Sequence, residues 1–233
     1  MALRVTTEAE PICGNSTTFC MVFSSSGTFG SLANTSSPAA RMVPDFSAAT
    51  SAGSLRDRKI GIVGMGRIGQ AIGRRLEASR VPVSYHSRNP SSAVSYQHYP
   101  DLMEMAKAVD TLIVIVPGGA STTKMINADV FKALGPRGVV INVARGSVVD
   151  EPALIAALKS GTILAAGLDV FANEPNVPDE LRTMQNVVLL PHIGSASVVT
   201  RNAMDQLVVD NLKHWFAGKP PLTPVAETPV KGR

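Results

Sequence analysis

The chain has 233 residues, 45% of them hydrophobic and 17% charged, which is enough apolar material to bury a core in about one to two domains. That composition excludes an intrinsically disordered chain, and apolar runs such as Leu112 to Val116 fall far short of the roughly eighteen residues that span a bilayer. The formal charge of +4 is uneven: residues 56–88 hold 8 basic and 2 acidic groups while both flanks are slightly acidic, a local field suited to a phosphate-bearing ligand rather than to long nucleic acid.

Residues 1–55 contain 17 Ser/Thr, little charge and no sustained hydrophobic period. Stretches such as Ser24-Ser25-Ser26-Gly27 and Thr35-Ser36-Ser37-Pro38 predict an irregular segment. Cys13 and Cys20 are the only cysteines, too few for a disulfide framework or a metal site. No basic stretch precedes a long apolar one, as a secretory signal requires. The serine content leaves an organellar transit peptide open, although Glu8 and Glu10 argue against it, and the expected location is the cytoplasm.

From residue 59 strand and helix alternate. Lys59–Val63 is a short apolar run ending in glycine, as a buried parallel strand does. Arg67–Ala78 follows with Ile68, Ala71, Ile72 and Leu76 at helical spacing, and Val81–Tyr85 reads as the second strand. Further strands are predicted at Leu112–Val116, Val139–Val143, Leu164–Leu168 and Val187–Leu190, separated by helices near 101–107, 127–134 and 150–159. Asp150-Glu151 reads as a helix start, where acids favour the positive end of the dipole. Met204, Leu207, Val208, Asn211, Leu212 and Trp215 mark one face of a helix over 197–217, and 218–233 reads as a proline-rich tail. Repeated strand–helix–strand units predict a doubly wound α/β parallel sheet with helices on both faces over residues 56–196.

Between the first strand and the first helix stands Gly64-Met65-Gly66-Arg67-Ile68-Gly69, a G-x-G-x-x-G loop. The first glycine permits a tight turn, the second lets the backbone approach a pyrophosphate, and the third lets helix and strand pack closely. The helix N-terminus offers free N–H groups to the anion. About twenty residues on, an NAD site places Asp or Glu on the ribose hydroxyls. This chain reads Tyr85-His86-Ser87-Arg88-Asn89 there, with no acid. Ser87 and Arg88 suit a 2′-phosphate, so NADP is expected over NAD.

Three later segments lie at or beyond strand ends, where such sheets bind ligands: Asn142-Val143-Ala144-Arg145-Gly146, Gly167 to Pro175, and Leu190 to Ser195. Each carries one chemically capable residue: Arg145, Glu174 and His192. With these motifs over 56–217, the chain resembles the D-2-hydroxyacid dehydrogenases, in particular their NADP-dependent glyoxylate/hydroxypyruvate reductase branch. The resemblance implies a Rossmann-type sheet and an enzyme that reduces a small 2-oxo acid to the 2-hydroxy acid with NADPH. It implies that Arg145 grips the carboxylate, that His192 donates the proton and that Glu174 bonds His192. It places Gly64, Met65, Gly66, Arg67, Ile68, Gly69, Ser87, Arg88 and Asn89 on NADP, with Val116, Pro117, Val143, Ala144, Asp169 and Gly194 toward the nicotinamide half. A homodimer is the family's usual state.

Chemistry supports those roles independently. Hydride reduction of a ketone leaves charge on its oxygen, so a proton source must lie in hydrogen-bond reach. A carboxylate on the other ring nitrogen favours imidazolium and fixes the ring. Arg can bind a planar carboxylate through two parallel hydrogen bonds. Of the other histidines, His86 is expected at a strand end near the adenosine, His98 in a polar loop and His214 in solvent, while Trp215 and Phe216 read as packing residues. Family members begin with a substrate domain of roughly a hundred residues, and residues 1–55 lack its strand–helix pattern. That domain is therefore expected to be largely missing, and helix 197–217, which packs on it in the family, to lack its partner. The alternative reading is a truncated, catalytically impaired NADP-binding module that acts as an interaction protein.

Overall fold

The computed structural model describes residues 55–225. The Ser/Thr-rich segment with Cys13 and Cys20, and residues 226–233 of the proline-rich tail, lie outside the described residues. The chain divides into two compact units whose boundary falls between Gly194 and Ser195.

The unit ending at Gly194 is built on seven parallel strands: β1 (Ile60–Val63), β2 (Val83–His86), β3 (Gln97–Tyr99), β4 (Thr111–Val114), β5 (Val139–Asn142), β6 (Ala165–Leu168) and β7 (Val187–Leu189). Their order is β3-β2-β1-β4-β5-β6-β7. The chain starts in the middle of the sheet, winds outward to β3, returns beside β1 and winds the other way. The reversal between β1 and β4 opens a crevice at the C-terminal ends of the strands. Every loop expected to carry chemistry emerges at that end. The expected doubly wound, Rossmann-type α/β fold is the fold observed.

Full burial explains the strand sequences. The four residues of β1, β4, β5 and β6 are all buried, so these strands read as continuous apolar runs rather than as alternating ones. Successive side chains still point to opposite faces. Leu112, Val114 and Val140 join a core with Met105, Phe131 and Leu154, which come from the helices α2 (Leu102–Ala108), α3 (Ala128–Leu134) and α4 (Glu151–Lys159). Ile60, Ile62, Ile113 and Ile141 face the other way and meet Leu76 of α1 (Arg67–Ala78). Sequence local to the helix ends matches this layout. Asp101 caps α2 by accepting from Met103 and Glu104, and Asn127 caps α3 by accepting from Asp129 and Val130.

Several boundaries differ from expectation. β2 begins at Val83, because Pro82 has no N–H to give a ladder; its carbonyl accepts from Ile60 instead. β4 runs Thr111–Val114 rather than 112–116. β3 and the five-residue helix α5 (Asp179–Thr183) have no counterpart among the predicted elements, since neither shows an apolar period. β3 is a polar edge strand held by its register with β2.

The glycine loop also specifies packing. Gly64 takes φ +106°, and a Cβ there would lie 2.8 Å from the Ile115 carbonyl oxygen. At Gly69 a Cβ would stand 2.1 Å from the Gly64 oxygen. Gly69→Ala is therefore expected to destabilise by about 1–3 kcal/mol, the usual cost of overpacking. A lower urea midpoint at unchanged slope is the measurement, and an unchanged midpoint would contradict the packing role.

The unit beginning at Ser195 holds one long helix, α6 (Val198–Phe216), whose first turn is capped by Ser197 accepting from Thr200. None of its residues is buried, and Phe216, expected to pack, is 82% exposed. Among the described residues no helix is long and apolar enough to cross a membrane.

Candidate active site

The crevice is lined first by the turn between β1 and α1. Gly66 is the N-cap of α1 and makes no side-chain cap bond, and the first helical turn contains no acid. The leading N–H groups of α1 thus keep the positive end of the dipole open to an anion. A Cβ on Gly66 would meet nothing within 4 Å, so this glycine leaves room for a ligand beside the backbone. Met65 is buried in the core and can offer a ligand only its backbone, whereas Arg67 and Ile68 are exposed.

Beyond β2, Ser87, Arg88 and Asn89 form a short turn tied by the Ser87 hydroxyl donating to the Asn89 carbonyl at 2.6 Å. Arg88 and Asn89 are exposed beside the loop, and the Gly64 N–H bonds the His86 carbonyl at 2.8 Å. His98 lies on β3 rather than in a loop. Its Nε2 donates to the Ser87 carbonyl at 2.9 Å, and its ring lies 5.0 Å from that of Tyr85. Tyr85 in turn accepts from the Ser91 N–H at 2.9 Å. The Ser87–Asn89 turn is thus pinned from a strand that periodicity alone did not reveal.

The second wall comes from β4 and β5. Val116 is half-buried, Pro117 exposed, Val143 half-buried and Ala144 buried. Arg145 is exposed just past β5, and its Nη1 donates to the Ala144 carbonyl at 2.6 Å. A Cβ on Gly118 would come within 3.0 Å of Arg145 Cγ, so the glycine pair after Pro117 leaves room for that side chain.

Past β6 and β7 lie Glu174 and His192. The Glu174 carboxylate accepts from the Phe171 N–H at 3.0 Å and meets His192 Nδ1 at 2.8 Å. A carboxylate can only accept, so Nδ1 carries the hydrogen and Nε2 is left to exchange a proton in the crevice. Burial raises the Glu174 pKa, but the bonds from His192 and Phe171 and the charges of His192 and Arg145 prevail, holding it below the ordinary glutamate value. The three residues singled out in the sequence therefore share one electrostatic site.

The sign of this shift gives a pH dependence. A lowered folded value contributes stability that is complete above the ordinary glutamate range and is lost as pH falls through the lowered value. Because the two side chains are 37% and 46% exposed, the effect is expected to stay below about 1 kcal/mol. Urea midpoints from pH 7 down to pH 3 should show this acid-side loss in the native chain and not in Glu174→Gln; equal profiles would contradict it.

Asp169 follows β6 and is 3% exposed. Its two carboxylate oxygens each accept a backbone N–H at 2.8 Å, from Ile193 and from Gly194. The Asp150-Glu151 pair stands at a helix start: Asp150 is the N-cap residue of α4 without a side-chain cap bond and pairs with Lys124 at 3.5 Å, and Glu151 accepts from the Ala172 N–H at 3.2 Å. Among the described residues no group of His, Cys, Asp and Glu is arranged to hold a metal ion.

Residues 35–194 match the model of the D-isomer specific 2-hydroxyacid dehydrogenase NAD-binding domain. A hydroxyphenylpyruvate reductase of Plectranthus scutellarioides is 50% identical over 168 residues, which is 72% of this chain and 54% of that protein. A glyoxylate/hydroxypyruvate reductase of Arabidopsis thaliana is 49% identical over the same shares of both chains. Among solved structures, an NADPH-dependent glyoxylate/hydroxypyruvate reductase of Sinorhizobium meliloti, in complex with NADP and malonate, superposes with a TM-score of 0.75 at 63% identity, covering 77% of this chain and 56% of that one. The chain spans about half the length of the relatives it matches.

Proposed function

This chain belongs to the D-isomer specific 2-hydroxyacid dehydrogenase family, and from that premise we propose that it serves the reduction of a small 2-oxo acid, of glyoxylate or hydroxypyruvate type, to the 2-hydroxy acid with NADPH. The observation that carries the reading is the His192 Nδ1–Glu174 contact of 2.8 Å at the strand ends, beside Arg145, whose charge acts on the same carboxylate. The relatives named as reductases of such acids support it.

The residues present fit the dinucleotide. The open Cβ position at Gly66 and the free N-terminus of α1 suit a pyrophosphate, and Ser87 and Arg88 suit a 2′-phosphate. Bound NADPH would supply the hydride. Arg145 orients the substrate by taking its carboxylate in a forked, bidentate bond and directs the carbonyl toward His192. His192 gives the Nε2 proton to the carbonyl oxygen as charge gathers there, and Glu174 steadies the imidazolium through Nδ1. Reprotonation of Nε2 from solvent resets the site, which the exposure of His192 permits.

The experiment is oxidation of NADPH and NADH by the purified chain over a panel of 2-oxo acids. Faster oxidation of NADPH with glyoxylate or hydroxypyruvate is expected. Tight NADPH binding without oxidation of any acid would overturn the reductase reading. Arg88→Ala should weaken NADPH binding by about ten- to a hundredfold, as loss of a charge-assisted bond does, and leave NADH binding nearly unchanged. Fluorescence titration with both cofactors decides this, and parallel losses would remove the case for a 2′-phosphate site.

A further inference from the structure

Two buried polar side chains at the crevice perform none of the steps above. Asn142 is 1% exposed and Asp169 is 3% exposed. They sit at the C-terminal ends of neighbouring strands, β5 and β6, and the Asp169 N–H donates to the Asn142 carbonyl at 3.0 Å.

Each reaches over the loop of one reacting group. The Asn142 amide closes the turn that bears Arg145: Nδ2 donates to the Arg145 carbonyl and Oδ1 accepts from the Ala144 N–H, both at 3.0 Å. The Asp169 carboxylate takes the N–H groups of Ile193 and Gly194, the two residues after His192, 24 and 25 positions along the chain. His192 itself holds φ +54°, a left-handed conformation that a residue with a Cβ seldom adopts without support. A Cβ on Gly194 would lie 2.9 Å from Asp169 Oδ2, so the glycine admits the carboxylate to the backbone.

A buried carboxylate is costly unless fully bonded, and these bonds are of the charge-assisted kind. An aliphatic side chain would fill the same core space without that cost. What the carboxylate adds is a fixed His192 loop, and what the Asn142 amide adds is a fixed Arg145 turn. We propose that Asn142 and Asp169 are a pair of positioning residues, anchored on adjacent strand ends, which hold the Arg145 turn and the His192 loop in register across the crevice. The inference rests on the reading of Arg145 and His192 as the reacting groups. A displacement of about 1 Å between such groups can cost around a hundredfold in rate, so the anchors matter even though they touch no reacting atom.

The test uses the near-isosteric variants Asn142→Leu and Asp169→Asn in the full chain. Asp169→Asn leaves an acceptor for one loop amide and turns an N–H donor toward the other. Amide hydrogen exchange resolved by NMR should quicken about tenfold or more in Asp169→Asn at whichever of Ile193 and Gly194 faces the new N–H donor, and at Ala144 in Asn142→Leu, while β1 amides at Ile62 and Val63 keep their native rates. Turnover with NADPH should fall around a hundredfold in both variants. Unchanged exchange at the loop amides would overturn the proposal. So would quickened exchange at β1 as well, which would make the residues general core supports. Lost NADPH affinity with native loop exchange would make Asp169 a cofactor contact instead of an anchor. If the native chain oxidises no NADPH, the reductase reading fails, and the exchange rates still decide whether the loops are anchored.

Discussion

His192→Ala is expected to lower turnover by about 10²–10⁴-fold, the usual contribution of a general acid, while NADPH affinity stays within about twofold. The two effects separate because the residue lies past β7, whereas the phosphate contacts are proposed at the α1 N-terminus and the Ser87–Asn89 turn. With the imidazole gone, water must protonate the developing alkoxide, without the placement that Glu174 gives the ring through its 2.8 Å contact. Alanine at φ +54° adds backbone strain of its own. His192→Asn is therefore the companion variant, since asparagine tolerates the left-handed region but carries no proton of suitable acidity. Both variants should lose rate alike. Steady-state kinetics and cofactor titration provide the measurement. A comparable loss of NADPH affinity in both would mean that the histidine shapes the cofactor site and is not the proton donor. Glu174→Gln should fall between native and His192→Ala, since it removes the carboxylate charge beside the ring but keeps an oxygen to orient it.

Gly146→Ala is expected to lose about 3 kcal/mol of stability, the upper end of overpacking costs, and most of the activity. A Cβ there would stand 1.9 Å from both the carbonyl carbon and the oxygen of Phe171, and 2.4 Å from the Ala172 nitrogen. All three are backbone atoms, so no rotamer change relieves the overlap. Either the turn after Arg145 or the segment leading to Glu174 must move. Both carry residues of the proposed site, and a shift of about 1 Å can cost around a hundredfold in rate. Urea unfolding and kcat on the same preparation should fall together, with NADPH binding retained by the untouched glycine loop. A native midpoint with native activity would show that the two segments separate freely.

The parts legible in the sequence share a physical property: they depend on residues near one another in the chain. The buried runs at β1, β4, β5 and β6 announced themselves because parallel strands covered on both faces must be apolar throughout. α1 was legible from its helical spacing, and the glycine loop because its three glycines answer local demands of turn, approach and packing. β3 was not legible: Gln97-His98-Tyr99 has no apolar pattern and owes its extended form to pairing with β2. α5, with five residues, is too short to display a period. His98 was misplaced for the same reason as its strand, and its bond to Ser87 went unseen with it.

By itself the sequence determined the parallel α/β class, the position of the glycine loop and the identity of Arg145, Glu174 and His192 as residues worth bringing together. Only the tertiary structure decided which atoms meet: Nδ1 of His192 with Glu174 across 18 positions, the Asp169 carboxylate with the His192 loop, and Gly146 against the Phe171 backbone. Those contacts depend on the register and spacing of neighbouring strands, and hydrogen bonds and close approaches between distant segments leave no period along the chain from which to read them.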